Sequence, residues 1–418
     1  MNILINAYAC APNWGSEQGM AWHWITELAK MHNLYVITEG EWKKEIEEAV
    51  ALLDVKDNIH FYYNPVSDKI RSMCWNQGDW RFYWYYRKWQ KKTLTIARQI
   101  CSEHRIDIIH QLNMIGFREP GYLWDIYDTH YIWGPVGGME IVPLKYLSGM
   151  PLSKKTKYIV KNMLNHLQIR YSARVCKAIH RADIVIAATQ GTYNSFVKLH
   201  HIKPVYMNEA GCTISEQHTA HNFNKDQLDI LWVGRFLDTK KLDIAIRTIA
   251  KVKDLPVFLH IVGSGSDTEN AMYQQMADKM GISNNIKWYG KLANKKVQEM
   301  MNQMDLFLFT SVLEGTPHVV LEAITNCLPI LCIDTCGQGQ LVNESIGWKV
   351  PLTNPQQNST DFAAILRRII INRDEIKQKS DNCKQRQREL SWENKLVTMN
   401  KIYQQLQDTY SYPEQIMK

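Results

Sequence analysis

The stretch DLFLFTSVLEGTPHVVLEAI, residues 305–324, decides the fold. Its apolar run, residues 306–309, is typical of a short strand that is buried on both faces. Residues 310–315 are predicted to form a loop, Thr316 to cap a helix, and Pro317 to occupy the first helical position. In an open parallel sheet, ligands bind beyond the carboxyl ends of the strands, where such loops lie.

This segment contains two carboxylates: Glu314 lies in the predicted loop and Glu322 lies two turns into the predicted helix. The free N–H groups at a helix start favour an anion, whereas a carboxylate suits hydroxyls and, when bidentate, a vicinal diol. A ligand that combines phosphate with diols is a sugar nucleotide. Taken alone, however, the pair is better explained as a loop carboxylate and a solvated helix residue.

A second element, ILWVGRFLDTKKLDIAI at residues 230–246, supplies cations. Its first four residues predict another buried strand, and Gly234 permits a tight turn before a helical pattern begins. Arg235 offers a planar fork to phosphate oxygens and Lys240 a mobile point charge, so the two can hold a diphosphate without a metal. Lys241, taken singly, is better explained as part of a solvated basic loop.

Together, GRF…KK…D and SVLEGTPHVVLEA resemble the C-terminal domain of the retaining GT-B glycosyltransferases of glycosyltransferase family 4. The resemblance extends over most of the chain, and its branch acts on bacterial polysaccharide precursors. It implies an α/β fold of GT-B architecture, with two doubly wound Rossmann-like domains facing across a cleft. It also implies transfer of a sugar from a UDP- or GDP-sugar to a saccharide or lipid-linked saccharide acceptor, with retained configuration.

The resemblance implies roles for individual residues. Arg235 and Lys240 hold the donor diphosphate, Glu314 meets hydroxyls of the donor sugar, and Glu322 holds the ribose diol; the first three are the expected catalytic residues. The other expected donor-binding residues are Gly234, Gly263, Ser264, Lys291, Ser311, Gly315, Thr316, Pro317, His318 and Val319. Because the chain contains no D-x-D, we expect neither a metal nor any other cofactor besides the nucleotide-sugar substrate.

The loop CAPNWGSEQG, residues 10–19, follows the first predicted strand, at the usual ligand edge of a doubly wound domain. Gly15, Ser16 and Glu17 match a GSExG-type loop on the acceptor side in one branch of the family. A plain turn is the alternative explanation for Glu17. Since this loop is not GxGxxG, a nicotinamide dinucleotide site is not expected.

The commonest family pattern has a histidine after a later strand, but this chain has YIWGPVGGME at residues 131–140. Gly137 and Gly138 allow close approach of the backbone to a ligand there. Glu140 and His110 are the candidates to replace the missing histidine. His110 is a candidate because the predicted strand at residues 106–111 places it at a carboxyl end.

The composition indicates a globular protein of more than one domain, with 418 residues of which 45% are apolar and 22% charged. We expect a first domain at residues 1–212, completed by a C-terminal helix at 392–418. A linker is predicted at 213–227 and the nucleotide-sugar domain at 228–391. Nine cysteines without CxxC spacing indicate reduced thiols in a cytoplasmic protein, and MNILINAYA is predicted to be a first strand instead of a signal peptide.

Two regions explain much of the net charge of +7. Residues 71–98 combine seven Lys/Arg with many aromatic residues, and residues 141–182 contain nine Lys/Arg and no acid. In the second region, Val160, Leu164, Leu167, Tyr171 and Val175 form one helical stripe, and Arg170, Arg174, Lys177 and Arg181 form another. Two interpretations of residues 71–98 and 154–181 remain open. These residues contact an anionic inner membrane surface, or they are ordinary core helices with solvated basic faces. Binding of nucleic acid is not expected.

Two alternatives to a transferase remain. A sugar-nucleotide epimerase or hydrolase of the same fold would consume the donor without an acceptor. A non-catalytic nucleotide-sugar-binding protein would keep the site without turnover, although the complete set of Arg235, Lys240, Glu314 and Glu322 argues against it.

Overall fold

The computed structural model describes residues 1–76, 79–214 and 221–410, which form two compact units. The first unit contains residues 1–139 and 164–210 together with the C-terminal helix that begins at Trp392. The second contains residues 140–163 and 211–391. This division differs from the expected domains at 140–163 and in the expected linker, whose described residues, 213–214 and 221–227, lie with the second unit; 215–220 lie outside the described residues.

Each unit contains one sheet in which every strand pair is parallel, with orders β3-β2-β1-β4-β5-β6-β7 and β10-β9-β8-β11-β12-β13. The predicted class, two doubly wound Rossmann-like α/β domains, is therefore confirmed. The strands are β1 (Asn2–Ala7), β2 (Asn33–Thr38), β3 (Ile59–Tyr63), β4 (Ile108–Asn113), β5 (His130–Val136), β6 (Ile184–Ala187), β7 (Val205–Tyr206), β8 (Leu228–Val233), β9 (Val257–Val262), β10 (Ile286–Gly290), β11 (Leu306–Phe309), β12 (Ile330–Asp334) and β13 (Gly347–Pro351).

Helices connect most of the neighbouring parallel strands; the connection from β4 to β5 contains only a 3-10 turn at Leu123–Asp125. The helices are α1 (Ser16–Leu28), α2 (Lys43–Ala51), α3 (Asp68–Trp75), α4 (Arg81–Glu103), α5 (Leu152–Tyr171), α6 (Ala173–Arg181), α7 (Gln190–His200), α8 (Leu242–Ala250), α9 (Asp267–Lys279), α10 (Asn294–Met301), α11 (His318–Thr325), α12 (Cys336–Leu341), α13 (Pro355–Ile371), α14 (Arg373–Glu389) and α15 (Trp392–Tyr410). Local signals set several starts: Ser266 and Glu269 form a capping box on α9, and Asn354 caps α13 ahead of Pro355.

Some predicted boundaries are wrong. Helix α11 begins at His318 instead of after a Thr316 cap, because Pro317 has an extended ψ of 104° and so takes the capping position itself. Two edge strands, β3 and β13, were not predicted.

The basic, aromatic region around residues 71–98 is partly a core helix. Phe82, Tyr86 and Trp89 of α4 are buried against Tyr8 and Met73. Its arginines are engaged within the unit: Arg71 pairs with Glu39, Arg81 with Asp79, Arg87 with Glu119 and Arg98 with Asp125. The interpretation as an ordinary core helix therefore applies to this face of α4; Trp80, Tyr83 and Trp84 remain exposed.

Helix α5 has the opposite character, because apolar side chains lie on its exposed face. Of the predicted stripe, Val175 is buried in α6, whereas Val160, Leu164, Leu167 and Tyr171 of α5 are 42–67% exposed. The buried residues of α5 are instead Asn165 and Ile169. Within the described part of the chain, none of the helices combines the length and apolarity that a membrane span needs.

The segment at residues 140–163 is held to the second unit by buried groups. Tyr146 lies in the hydrophobic core of that unit and its hydroxyl is hydrogen-bonded to Asn358. The Tyr146 carbonyl accepts a 2.6 Å hydrogen bond from Nζ of Lys241, which is only 5% exposed. Lys241 is therefore a structural residue instead of part of a solvated basic loop, and burial lowers the pKa of its ammonium.

Replacing Tyr146 should destabilise the second unit. Tyr146→Ala removes a fully buried ring and leaves Asn358 without this partner, which we expect to cost about 3–5 kcal/mol of unfolding free energy. Hydrogen exchange resolved along the chain, combined with urea unfolding, would show the loss in α8 and α13. Leu144→Ala is the matched control, because Leu144 is 62% exposed in the same segment. Equal effects of the two substitutions would contradict this anchoring.

Candidate active site

In the second unit, the loops after β8 and β11 meet where the strand order reverses. Such a switch point is where open α/β sheets bind ligands. Two hydrogen bonds join the loops, from Val312 N–H to the Thr239 carbonyl at 2.9 Å and from Thr310 Oγ1 to the Lys240 carbonyl at 2.7 Å. Trp232 Nε1, within β8, donates to Thr310 Oγ1 at 3.0 Å. The segments that carry the predicted cations and carboxylate are thus fixed to each other.

The side chains of Lys240 and Glu314 are in direct contact at this point. Nζ of Lys240 donates to Oε1 of Glu314, and both side chains are mostly buried, at 20% and 13% exposure. The ammonium also lies 5.7 Å from the centre of the Phe309 ring. Arg235, on the same loop, is exposed. The structure therefore brings together one predicted phosphate cation and the predicted sugar carboxylate.

The predicted glycines pack the loop after β8 against the loop after β9. Gly263 has φ of +134°, and a Cβ there would lie 1.8 Å from the Gly234 carbonyl oxygen, so no larger residue fits. The Ser264 carbonyl accepts from Phe236 N–H at 3.1 Å, and the Gly290 carbonyl accepts from Gly263 N–H at 2.7 Å. The predicted Lys291 directly follows Gly290 and is exposed.

Residues 311–319 pack against α12, which the sequence analysis did not connect with the site. The Ser311 carbonyl accepts from Gln338 Nε2 at 2.9 Å, and a Cβ on Gly337 would lie 2.2 Å from the Gly315 carbonyl oxygen. Thr316 and Pro317 are buried, whereas His318 and Val319, at the start of α11, are partly exposed. Burial lowers the pKa of His318. The sequence CGQG, which begins two residues after β12, is the signal that could have identified Gly337.

Glu322 lies on α11 and is held from α10. Asn294 Nδ2 donates to its Oε1 at 3.1 Å. Burial raises the pKa of Glu322, while hydrogen bonds from Asn294 and Gln298 partly offset that rise. Neither amide was singled out in the sequence, because their proximity to Glu322 depends on how α10 and α11 pack.

Glu140 belongs to the second unit, not to the acceptor side of the first. Its negative charge and that of Glu314 both act on the Cys336 thiol, and burial is the main reason why the pKa of Cys336 is raised to about 12. The unit division thus separates Glu140 from the preceding glycines, which stay with the first unit. No group of three or more His, Cys, Asp or Glu in the described ranges is arranged to hold a metal ion.

In the first unit, Glu17 and Gly137 are brought to the switch point between β1 and β4. Oε1 of Glu17 accepts from Ile115 N–H at 3.2 Å, and Gly137 N–H donates to the Ile115 carbonyl at 2.9 Å. Burial raises the pKa of Glu17. Gly15 and Ser16, at the start of α1, are exposed, as is Gly138, which has φ of +81°.

His110 does not lie at a strand end, so the position for which it was predicted as a site residue is wrong. β4 continues to Asn113, so His110 is in the strand interior and fully buried. Its Nε2 lies 2.6 Å from the Gly134 carbonyl and its Nδ1 2.8 Å from the Tyr403 hydroxyl. Because a carbonyl only accepts, Nε2 carries a proton. Burial lowers the pKa of His110 to about 4, so the ring is neutral at pH 7.

Comparison with known proteins identifies the second unit. Residues 213–390 match the sequence profile of the family described as glycosyl transferases group 1. The second unit is therefore similar to that family. The lipopolysaccharide 1,6-galactosyltransferase of Salmonella typhimurium is 32% identical over 125 residues, covering 29% of this chain and 33% of that protein. The chain spans about a third to a half of the curated relatives it matches.

Solved structures match nearly the whole chain and confirm the GT-B fold. The lipopolysaccharide outer core galactosyltransferase WaaB superposes with a TM-score of 0.62 at 16% identity, covering 96% of this chain and 100% of WaaB. HepE from Anabaena, solved in complex with UDP, superposes with a TM-score of 0.59 at 17% identity, covering 98% and 100%. The predicted resemblance to GT-B glycosyltransferases is therefore confirmed.

The buried His110 should make the first unit sensitive to acid. An unfolded histidine has a pKa near 6.5, so between that value and about 4 the unfolded chain binds a proton that the folded one does not. Its contribution, on the order of 3 kcal/mol, is complete above pH 6.5 and is lost as the pH falls towards 4. Unfolding free energy measured from pH 7 to 4 should fall less steeply in His110→Asn than in the parent chain.

The matched control for this measurement is His166→Asn, since His166 is exposed on α5. It should leave the pH dependence unchanged. An unaltered slope in His110→Asn would show that the buried ring is not the group being titrated.

Proposed function

We propose that this chain is a retaining glycosyltransferase, which moves a sugar from a UDP- or GDP-sugar to a saccharide or lipid-linked saccharide acceptor in bacterial surface polysaccharide synthesis. The observation that carries the proposal is the Lys240–Glu314 contact at the switch point of a glycosyl transferases group 1 domain. It joins a phosphate-binding cation to a hydroxyl-binding carboxylate, and a nucleotide sugar offers both groups.

The second unit binds the donor. Lys240 and Arg235 attract the diphosphate, and the start of α11 adds N–H groups that favour negative charge. As the bond from the anomeric carbon to the diphosphate breaks, negative charge builds on the leaving oxygen. Cations and amides fixed in advance stabilise that charge, so this chemistry is assigned to side chains in place of a metal.

Glu314 and Glu322 then orient the rest of the donor. Once the diphosphate competes for Lys240, the Glu314 carboxylate is free to accept hydrogen bonds from sugar hydroxyls. Glu322, positioned by Asn294, accepts from the ribose diol. The complex of HepE with UDP supports a nucleoside diphosphate as the part common to donors of this fold.

The first unit binds the acceptor near Glu17 and the glycines at residues 137–138. In the proposed reaction, the acceptor hydroxyl attacks on the face that the diphosphate leaves, and the leaving phosphate takes the hydroxyl proton. This route keeps the anomeric configuration and needs no histidine base, which agrees with the burial of His110. The lipopolysaccharide galactosyltransferases among the relatives support a saccharide acceptor.

The donor site is tested with Arg235→Ala. UDP- and GDP-sugars are screened for stabilisation of the parent chain. At a hundredfold excess over Kd, the sugar nucleotide that binds should raise the unfolding free energy by about 2.7 kcal/mol. The variant should show little stabilisation and, with an acceptor present, roughly a hundredfold or greater loss of transfer rate. Lys253→Ala, which removes another exposed cation from the same unit, is the control.

The same screen separates the alternatives. Nucleotide release without any acceptor would indicate a hydrolase, and a changed sugar on an intact nucleotide would indicate an epimerase. Stabilisation without turnover would favour a binding protein. If Arg235→Ala were stabilised as strongly as the parent chain, the assigned donor site would be wrong.

An anionic membrane surface is part of the proposed function, and α5 is the element that would meet it. Ile159, Val160, Met163, Leu164 and Leu167 are 42–56% exposed and lie on one side of the helix, opposite the buried Asn165 and Ile169. Lysines and an arginine flank this apolar face, namely Lys155, Lys157, Lys161 and Arg170. Exposed apolar residues bordered by cations are typical of helices that lie in a membrane interface.

We expect the chain to sediment with vesicles of mixed phosphatidylcholine and phosphatidylglycerol at low salt, and less at high salt because the cations are then screened. Leu164→Asp/Leu167→Asp should abolish sedimentation by placing charge in the apolar face. Leu52→Asp is the control, since Leu52 is 87% exposed at the end of α2. Sedimentation of the double variant at the level of the parent chain would exclude α5 as the membrane contact.

A further inference from the structure

Three tryptophans form an exposed cluster in the first unit, at the carboxyl ends of β1 and β2. Trp14 lies in the loop after β1, Trp42 in the loop after β2, and Trp75 at the end of α3. Their ring centres are 5.3 Å apart for Trp14 and Trp42 and 5.8 Å apart for the other two pairs. Trp14 and Trp75 remain 48% and 46% exposed. Neighbouring tryptophans that remain half exposed form an apolar surface patch, and such patches often mark binding sites.

The cluster is held in place by the backbone and by buried charges. A Cβ on Gly19 would lie only 1.8 Å from the Trp14 carbonyl oxygen. The loop that carries Trp14 is therefore packed directly on the first turns of α1. Glu39, at the end of β2, accepts from Arg71 Nε and Nη2 at 3.1 and 2.9 Å, which fixes α3. Trp75 Nε1 donates to Glu41 Oε1 at 3.0 Å, so the third ring is oriented by a carboxylate beside the cluster.

This arrangement combines a rigid aromatic surface with a hydrogen-bond acceptor. An ionised carboxylate has about four lone-pair positions, and the single indole N–H of Trp75 occupies only part of that capacity. A pyranose ring has an apolar face made of C–H groups and an edge of hydroxyls, so it can lie on indole rings while its hydroxyls donate to a carboxylate. The position at the carboxyl ends of the strands is where a doubly wound unit takes its ligand.

Resting on the proposed function, the inference concerns the acceptor: we propose that Trp14, Trp42 and Trp75 form a stacking platform for a neutral pyranose ring of the acceptor saccharide, with Glu41 accepting from its hydroxyls. A polyanionic ligand is disfavoured, because Glu39 and Glu41 lie at the platform and Arg71 is engaged by Glu39 and Asp68. A quaternary ammonium ligand needs a gap between the rings, whereas these rings touch one another.

The experiment compares four full-length chains on an array of immobilised glycans. The parent chain is set beside Trp14→Ala/Trp75→Ala, beside Trp75→Phe, and beside Trp80→Ala. Trp80 is 77% exposed outside the cluster and controls for the loss of any surface indole. The array carries neutral, amino-sugar and acidic glycans together with a choline conjugate. Thermal stabilisation by UDP is measured on the same samples, because it reports on the second unit alone.

We expect the parent chain and Trp80→Ala to retain a set of neutral glycans, and the double variant to bind them roughly tenfold more weakly or worse. Trp75→Phe, which keeps a ring but loses the bond to Glu41, should be intermediate. Equal retention by the double variant, no retention of neutral glycans by the parent chain, or retention of the choline conjugate or acidic glycans in their place would overturn the platform.

The two readouts separate this inference from the donor site. If UDP stabilises the chain but neutral glycans are not retained through the tryptophans, the platform alone is contradicted. Tryptophan-dependent retention of glycans without stabilisation by any nucleotide would contradict the proposed donor and leave the platform supported.

Discussion

The contact between the Lys240 ammonium and the Glu314 carboxylate is the interaction on which the candidate site depends. It joins two mostly buried, opposite charges across the reversal of strand order in the second sheet, so each group keeps the other from being buried without a partner. A ligand that takes Lys240 must therefore also satisfy Glu314. A bare phosphate accepts from the cation but lacks the sugar hydroxyls that a carboxylate can accept from, whereas a sugar diphosphate supplies phosphate oxygens and hydroxyl donors together. The pair thus favours a ligand in which the two groups are joined.

The elements that were predicted from the sequence are those whose residues have one environment along their length. Leu306–Phe309 is apolar throughout because both faces of a central parallel strand are covered by helices, and its predicted bounds agree with the structure. The edge strands β3, IHFYY, and β13, GWKVP, carry polar, glycine and proline residues, since one side of each is unpaired. Their sequences therefore carry no continuous apolar run. Motif spacing located Arg235, Lys240 and Glu314 for a related reason: each lies within a few residues of a recognisable strand.

The residues that were misplaced depend on contacts far apart in the chain. His110 is satisfied by Tyr403, which lies 293 positions away, and no local pattern shows that β4 extends three residues beyond it. Glu140 is assigned to the second unit because Tyr146 enters its core and Lys241 binds the Tyr146 carbonyl. The apolar stripe of α5 has the periodicity of a packing face, and periodicity alone does not show whether that face meets a core or solvent. Burial has to be known before such a stripe can be interpreted.

Both units place a carboxylate at the switch point of their sheet, yet the surroundings give the two groups different chemistry. Glu314 contacts an ammonium, which suits a site that must also accept a diphosphate. Glu17 accepts from the Ile115 N–H, and burial raises its pKa, which increases the share of the neutral form at any given pH. The same fold thus places a carboxylate beside a cation in one unit and a carboxylate that accepts from a backbone N–H in the other.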